Sequence, residues 1–117
     1  MKVLIYGASD NPQRYAYLAC RMLLDHGHEV HLLGLKKAQV FDIPILGPRH
    51  LPDIDTVTLY VGPKHQESLL EYLSALAPRR VIFNPGTENP ELMQALERRG
   101  IQALEACTLV LLQTGQF

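Results

Sequence analysis

The chain has 117 residues, enough to close one core and short for two domains. Hydrophobic residues make up 47% of it and charged residues 20%, a balance that excludes a disordered or fibrous chain. With a formal net charge of −1 there is no global attraction to nucleic acid or to an anionic membrane, so any anion must be held by a local arrangement.

In chain order, Lys2 to Tyr6 is a short apolar run stopped by Gly7, the pattern of a strand buried on both faces. The apolar run before Gly7 is too brief for a signal peptide or a membrane span. Asn11 is placed to cap the following helix and Pro12 to occupy its first turn. Tyr15, Leu18, Ala19, Met22 and Leu23 repeat at helical spacing up to Gly27, a left-handed cap. Glu29 to Leu33 is the second strand. Leu35 to Asp55 carries Pro44, Pro48 and Pro52 without a clean period and reads as an irregular crossover with one short helical turn.

The strand-then-helix grammar then repeats. Thr56 to Val61 is a strand and Gly62-Pro63 a turn, with Leu69, Leu70, Leu73, Leu76 and Ala77 on one helical face before Pro78. Arg80 to Phe83 is a strand and Asn84 to Asn89 a turn, with Asn89 as cap. Pro90 opens a helix through Leu92, Met93 and Leu96 to Gly100, and Ile101 to Leu104 is the last strand. Cys107 to Leu112 is an apolar run too short to assign by period. This alternation predicts a single α/β domain over residues 1–117, a Rossmann-like, doubly wound parallel sheet of about five strands with helices on both faces.

In such a sheet a ligand lies beyond the carboxyl ends of the strands, where the strand order reverses. The first turn, Gly7-Ala8-Ser9-Asp10-Asn11-Pro12, has the glycine for a sharp turn and close backbone approach. The start of the next helix offers N–H groups and a positive dipole end to a phosphate, Ser9 a hydroxyl and Arg14 a cation. The dinucleotide fingerprint wants three glycines, and Ser9 and Pro12 stand in two of those places. Plain turn geometry and phosphate binding therefore both remain readings of this loop. After the second strand, where dinucleotide domains place an acid, the chain has Gly34-Leu35-Lys36-Lys37. A lysine attracts a ribose phosphate that a carboxylate would repel, which favours coenzyme A or NADP over NAD, against the bland reading of two solvated lysines. The turn from Asn84 to Asn89 groups Asn84, Thr87 and Glu88 near the same edge.

No catalytic constellation and no metal site emerge: the five histidines are scattered without ligand spacing. His65 could face the site, though a helix-terminal histidine is the default. Cys20 falls inside a helical pattern and Cys107 is the only other cysteine, so no disulfide framework is expected and a reducing, cytoplasmic setting is the natural reading.

The stretches GASDNPQRYAY, FNPGTENPEL and ACTLVLLQTGQF together resemble the small bacterial CoA-binding-domain proteins. These are stand-alone relatives of the N-terminal domain of the succinyl-CoA synthetase α subunit, and the resemblance runs from Met1 to Phe117. It implies that Gly7, Ala8, Ser9, Asn11, Pro12 and Arg14 belong to a loop wrapping the phosphates of coenzyme A. It puts Lys36 near the adenosine 3′-phosphate, makes Val61, Gly62 and Pro63 the turn bordering the adenine, and turns Asn84, Pro85 and Gly86 toward the pantetheine. Many relatives carry an asparagine–proline pair where this chain has Gly34-Leu35. The synthetase also needs a second domain with a phosphorylated histidine and a partner subunit. The resemblance therefore implies a non-catalytic module for CoA or acyl-CoA; the charge balance gives no expectation of a nucleic-acid or membrane partner, and a homodimer or a further protein partner stays open. The alternatives are an NAD(P)-binding enzyme or redox sensor on the same fold, and a purely structural interaction domain.

Overall fold

A computed structural model describes all 117 residues. The elements are β1 (Lys2–Tyr6), α1 (Tyr15–Asp25), β2 (Glu29–Leu33), β3 (Gln39–Val40), β4 (Ile43–Leu46), β5 (Thr56–Leu59), a 3-10 turn (Pro63–His65), α2 (Leu69–Leu76), β6 (Arg80–Phe83), α3 (Pro90–Arg98), β7 (Gln102–Glu105) and α4 (Thr108–Gln113). One seven-stranded sheet runs in the order β3-β4-β2-β1-β5-β6-β7. Every pairing is parallel except β3 with β4. The chain builds outward from β1 to one side, then returns to lay β5 on the other, so the order reverses between β1 and β5. The expected α/β doubly wound architecture is the one found.

Both faces of the sheet are covered, and strand alternation divides the core between them. Val3 and Ile5 of β1 pack with Ala16, Ala19, Cys20 and Leu23 of α1 and Leu112 of α4. Leu4, between them, points the other way and joins Leu69 and Leu73 of α2 and Leu92 and Leu96 of α3. A strand covered on both faces gains from apolar residues at every position, which is why β1 reads as a continuous run.

The structure corrects several details. There are seven strands, not about five, because the segment from Leu35 to Asp55 holds β3 and β4 and no helical turn. Its hairpin turns on Phe41 and Asp42, both left-handed at φ 49° and 67°, without the glycine or asparagine that usually announces such a turn. Asn11 does not cap α1: its Oδ1 accepts from the Gln13 N–H at 3.0 Å, its carbonyl from the Arg14 N–H at 3.0 Å, and the helix begins only at Tyr15. Asn11-Pro12 thus forms a separate turn. The buried face of α1 carries Ala16, Ala19, Cys20 and Leu23, while Tyr15 is 67% exposed. Ala77 leaves the apolar face of α2 and closes the helix in a left-handed conformation, φ 53°. The run from Cys107 to Leu112 becomes α4, anchored by buried Thr108 and Leu112. β5 stops at Leu59, short of Val61, and β7 is displaced by one residue to Gln102–Glu105. Asn89 caps α3 as expected, its Oδ1 accepting from the Leu92 N–H at 3.2 Å. No helix is long and apolar enough to cross a membrane.

Candidate functional site

The carboxyl ends of β1 and β5 meet at Gly7. Its φ of +94° is accessible to glycine without strain, and a Cβ there would lie 2.8 Å from Val61 Cγ1 and 3.0 Å from the Tyr60 carbonyl carbon. Gly7 is therefore required for the first turn to lie against the end of β5. The N–H groups of Gly7 and Ala8 both donate to the Leu33 carbonyl, at 2.8 and 2.9 Å, which ties this turn to the end of β2. Gly34 permits the approach from the other side, since a Cβ on it would sit 2.9 Å from the Ala8 carbonyl oxygen and 3.0 Å from Ile45 Cγ2. The departure from the asparagine–proline pattern thus has a local reason.

Because Gly7 and Ala8 spend their N–H groups internally, a phosphate would be met further along. The Asn11 N–H donates to Ser9 Oγ at 3.1 Å, and the Asn11 side chain holds the Gln13 N–H, so the turn is self-supporting. The first N–H groups of α1, at Tyr15 and Ala16, have no side-chain cap. These donors, with the positive end of the helix dipole, open into a cleft of about 530 Å³ lined by Gly7, Ser9, Gln13, Arg14, Tyr15, Ala16, Tyr60, Gly62 and Pro85 to Thr87.

A second cleft of about 560 Å³ lies across Gly7. Tyr6, Ala8, Leu33, Leu35, Pro48 and Val61 give it an apolar lining, and Lys36, Lys64 and His65 bring basic groups, with Glu67 as the acid among them. The two clefts share Gly7. Lys36 is not free at this rim: its Nζ lies 3.2 Å from both carboxylate oxygens of Asp10. Lys37 lines neither cleft.

Of the residues singled out in the sequence, Gly7, Ser9, Arg14, Gly62, Pro85 and Gly86 line the first cleft and Gly7, Ala8, Lys36 and Val61 the second. Asn11, Pro12 and Pro63 are exposed and line neither. Asn84 is 2% exposed and turned inward, beneath the site. Its Nδ2 donates to Thr58 Oγ1 at 2.6 Å and to the Leu59 carbonyl at 2.8 Å, and its Oδ1 accepts from the Thr108 N–H at 2.9 Å. It braces the ends of β5, β6 and α4 together. Gln66 does the same for the loops above: its Nε2 donates to the Val61 and Thr87 carbonyls, each at 2.9 Å, and its Oε1 accepts from Asn89 Nδ2 at 2.9 Å.

Sequence reasoning passed over Tyr60, Lys64, Gln66 and Asp10. Burial pushes the Tyr60 phenol up to about 12, with the hydroxyls of Thr58 and Thr108 pulling it partly back. A parity argument would have found it, since Leu59 faces α2 and α3 and the next residue must face the other way. No three His, Cys, Asp or Glu side chains are grouped to hold a metal ion.

Residues 1–113 match the family of CoA binding domains, and the chain belongs to that family. It is similar to a crystal structure of an uncharacterized protein at 47% identity and a TM-score of 0.97, covering 99% of this chain and 97% of that one. A conserved hypothetical protein from Pyrococcus furiosus is 26% identical with a TM-score of 0.80, over 93% and 97% of the two chains. A dinucleotide-forming acetyl-coenzyme A synthetase 1 from Ca. Korarchaeum cryptofilum, solved with phosphate and ADP, shares the fold at 16% identity and a TM-score of 0.74; the match covers 92% of this chain and 25% of that one. No curated protein matches the sequence.

Proposed function

We propose that the chain is a single-domain, stand-alone module that binds CoA or acyl-CoA in the cytoplasm and carries out no reaction on it by itself. The observation that supports this most directly is the pair of clefts meeting at Gly7, at the switch point of the sheet. A long, bent ligand with a central pyrophosphate suits that shape. The pyrophosphate would sit over the Ser9–Arg14 turn and the uncapped start of α1. The adenosine end would take the apolar cleft, with Lys36, Lys64 and His65 near its phosphate, and the pantetheine arm would run along Tyr60 and Pro85 to Thr87. Gly7 supports the fit, because a side chain there would push the turn away from β5. The family membership supports the same ligand.

Calorimetric titration with CoA, dephospho-CoA, NAD and NADP tests the reading. CoA should bind most tightly; tighter binding of NADP would overturn it. The non-catalytic part is tested by incubation with succinate, CoA, ATP and magnesium, which should yield no succinyl-CoA above the blank. Turnover that scales with protein concentration would refute it.

A further inference from the structure

Lys36 is the cation that the phosphorylated ribose would be expected to meet, yet it already has an anion. Asp10 reaches it from the first turn, across 26 residues of sequence, with both carboxylate oxygens at 3.2 Å. The two loops come this close because Gly34 lets the end of β2 lie against Ala8 and because Gly7 and Ala8 both hang from the Leu33 carbonyl. The lysine side chain is 72% exposed and the aspartate 34%, so the pair is of the weak, solvent-screened kind that a stronger anion can break.

We propose that Asp10 is an internal rival for the ribose phosphate, and that the Asp10–Lys36 pair sets how strongly the site prefers a phosphorylated over an unphosphorylated adenosine ribose. This rests on the CoA reading above. A phosphate at Lys36 has to share or take the lysine from Asp10 and then stands near a like charge. An unphosphorylated ribose meets no such opposition, and its hydroxyl can donate to the same carboxylate. Lys36 thus favours CoA and Asp10 favours dephospho-CoA, and the ratio of the two affinities reports the balance. The wild-type preference for CoA should be only a few-fold.

The test is calorimetry of Asp10→Asn against CoA and dephospho-CoA at low and moderate salt, with melting curves to confirm folding and Asp10→Ser as a second variant. Removing the carboxylate should tighten CoA by about threefold to tenfold, the size expected for releasing an exposed ion pair and a nearby like charge, and should leave dephospho-CoA unchanged or weaker. The gain should shrink with added salt. In a Lys36→Met background the gain should also shrink, because no cation is left to compete for. Weaker CoA binding by Asp10→Asn would mean that Asp10 positions the lysine, and an unchanged ratio would mean that it does nothing; either overturns the proposal. An equal gain with and without Lys36 reduces it to simple repulsion and overturns the rivalry. Absence of CoA binding by both the wild type and Asp10→Asn would sink the CoA reading and this proposal with it, whereas CoA binding with an unchanged ratio overturns this proposal alone.

Discussion

Between the sheet and helices α2 and α3 the core is a cluster of thirteen apolar residues, from Leu4 at its centre to Leu96 and Ile101. Between the sheet and helices α1 and α4 an apolar cluster around Val3, Ile5 and Ala19 shares the face with buried polar groups. Thr58, Thr108 and Asn84 form one hydrogen-bonded knot there. At the other end of the same strands Arg80 donates to Thr56 Oγ1 at 2.9 Å and to the Phe117 carbonyl at 2.7 Å, with its guanidinium 4.5 Å from the Phe117 ring centre. No buried side-chain nitrogen or oxygen lacks a partner. The difference is written in β5 and β6. In Thr-Val-Thr-Leu, Val57 and Leu59 take the dry face and the threonines take the other, and in β6 Val81 and Phe83 alternate with Arg80 in the same way. The dry face supplies non-directional stabilisation, while the polar face fixes where chain ends sit; the first cleft borders the polar face, and the second, lined by Tyr6, Leu33 and Val61, borders the dry one.

The comparison can be broken hardest on the dry face. Leu73 is fully buried in α2, and Leu73→Ala should destabilise the protein by about 3 to 4 kcal/mol, read from urea unfolding, since the void it leaves is lined by packed neighbours. The protein that remains folded should bind CoA with unchanged affinity. A loss of affinity in the folded fraction would show that the two faces are not separable.

Asn84→Ala probes the polar face. It leaves the Leu59 carbonyl and the Thr108 N–H without their side-chain partner in a buried place, at a cost of about 2 kcal/mol. Here stability and CoA affinity should fall together, because the turn from Pro85 to Thr87 starts at this residue. Lost affinity with stability intact would instead put Asn84 against the ligand, as the family resemblance implies.

How far the sequence can be read follows from the range of the interactions concerned. β1 and its glycine turn are legible because a run of apolar residues ending in glycine is a local signal, and the Asn89-Pro90 cap is legible for the same reason. β3 and β4 are hidden because a two-residue strand has no period and the hairpin turn is made by Phe41 and Asp42. Tyr17, whose ring centre lies 5.0 Å from that of Phe41, holds this unusual turn against α1, and the pairing spans 24 positions of sequence, too far for any local pattern. Around the clefts, residue type is a local property of the sequence and side-chain direction is not. Asn84 is polar in a turn, which suggests a ligand, but the parity of β6 sends it inward. Gln66 ties its own β5-to-α2 connection to the turn after β6, more than 20 positions away, and Asp10 meets Lys36 only after the sheet has formed.

The finest test of the comparison uses pH, because each face carries phenols at its margin, Tyr60 on the polar side and Tyr6 and Tyr72 against the dry cluster. Tyr60 packs on the α1 and α4 side, and burial raises its pKa from 10.0 to about 12. An acid whose folded pKa is raised stabilises the fold fully below the unfolded value and loses that contribution as pH rises through the folded one, so the window runs from about 10 to about 12. At pH 11 the unfolded chain would have released this proton and the folded chain mostly not, which removes on the order of 1.4 kcal/mol. Cys20, pushed up from 9.0 to about 11 by burial in the same α1 cluster, gives up its contribution across that range and overlaps the lower half of the Tyr60 window, and Tyr6 and Tyr72 are also raised by burial. A single alkaline unfolding curve therefore mixes several groups. The difference between wild type and Tyr60→Phe isolates one, because the others stay in both proteins. Urea unfolding at pH 8 and at pH 11 should show the variant losing less stability than the wild type across that step, by about 1 kcal/mol. Equal losses would mean that the phenol sees solvent, and that the polar face is wetter beneath the cleft than its hydrogen bonds suggest.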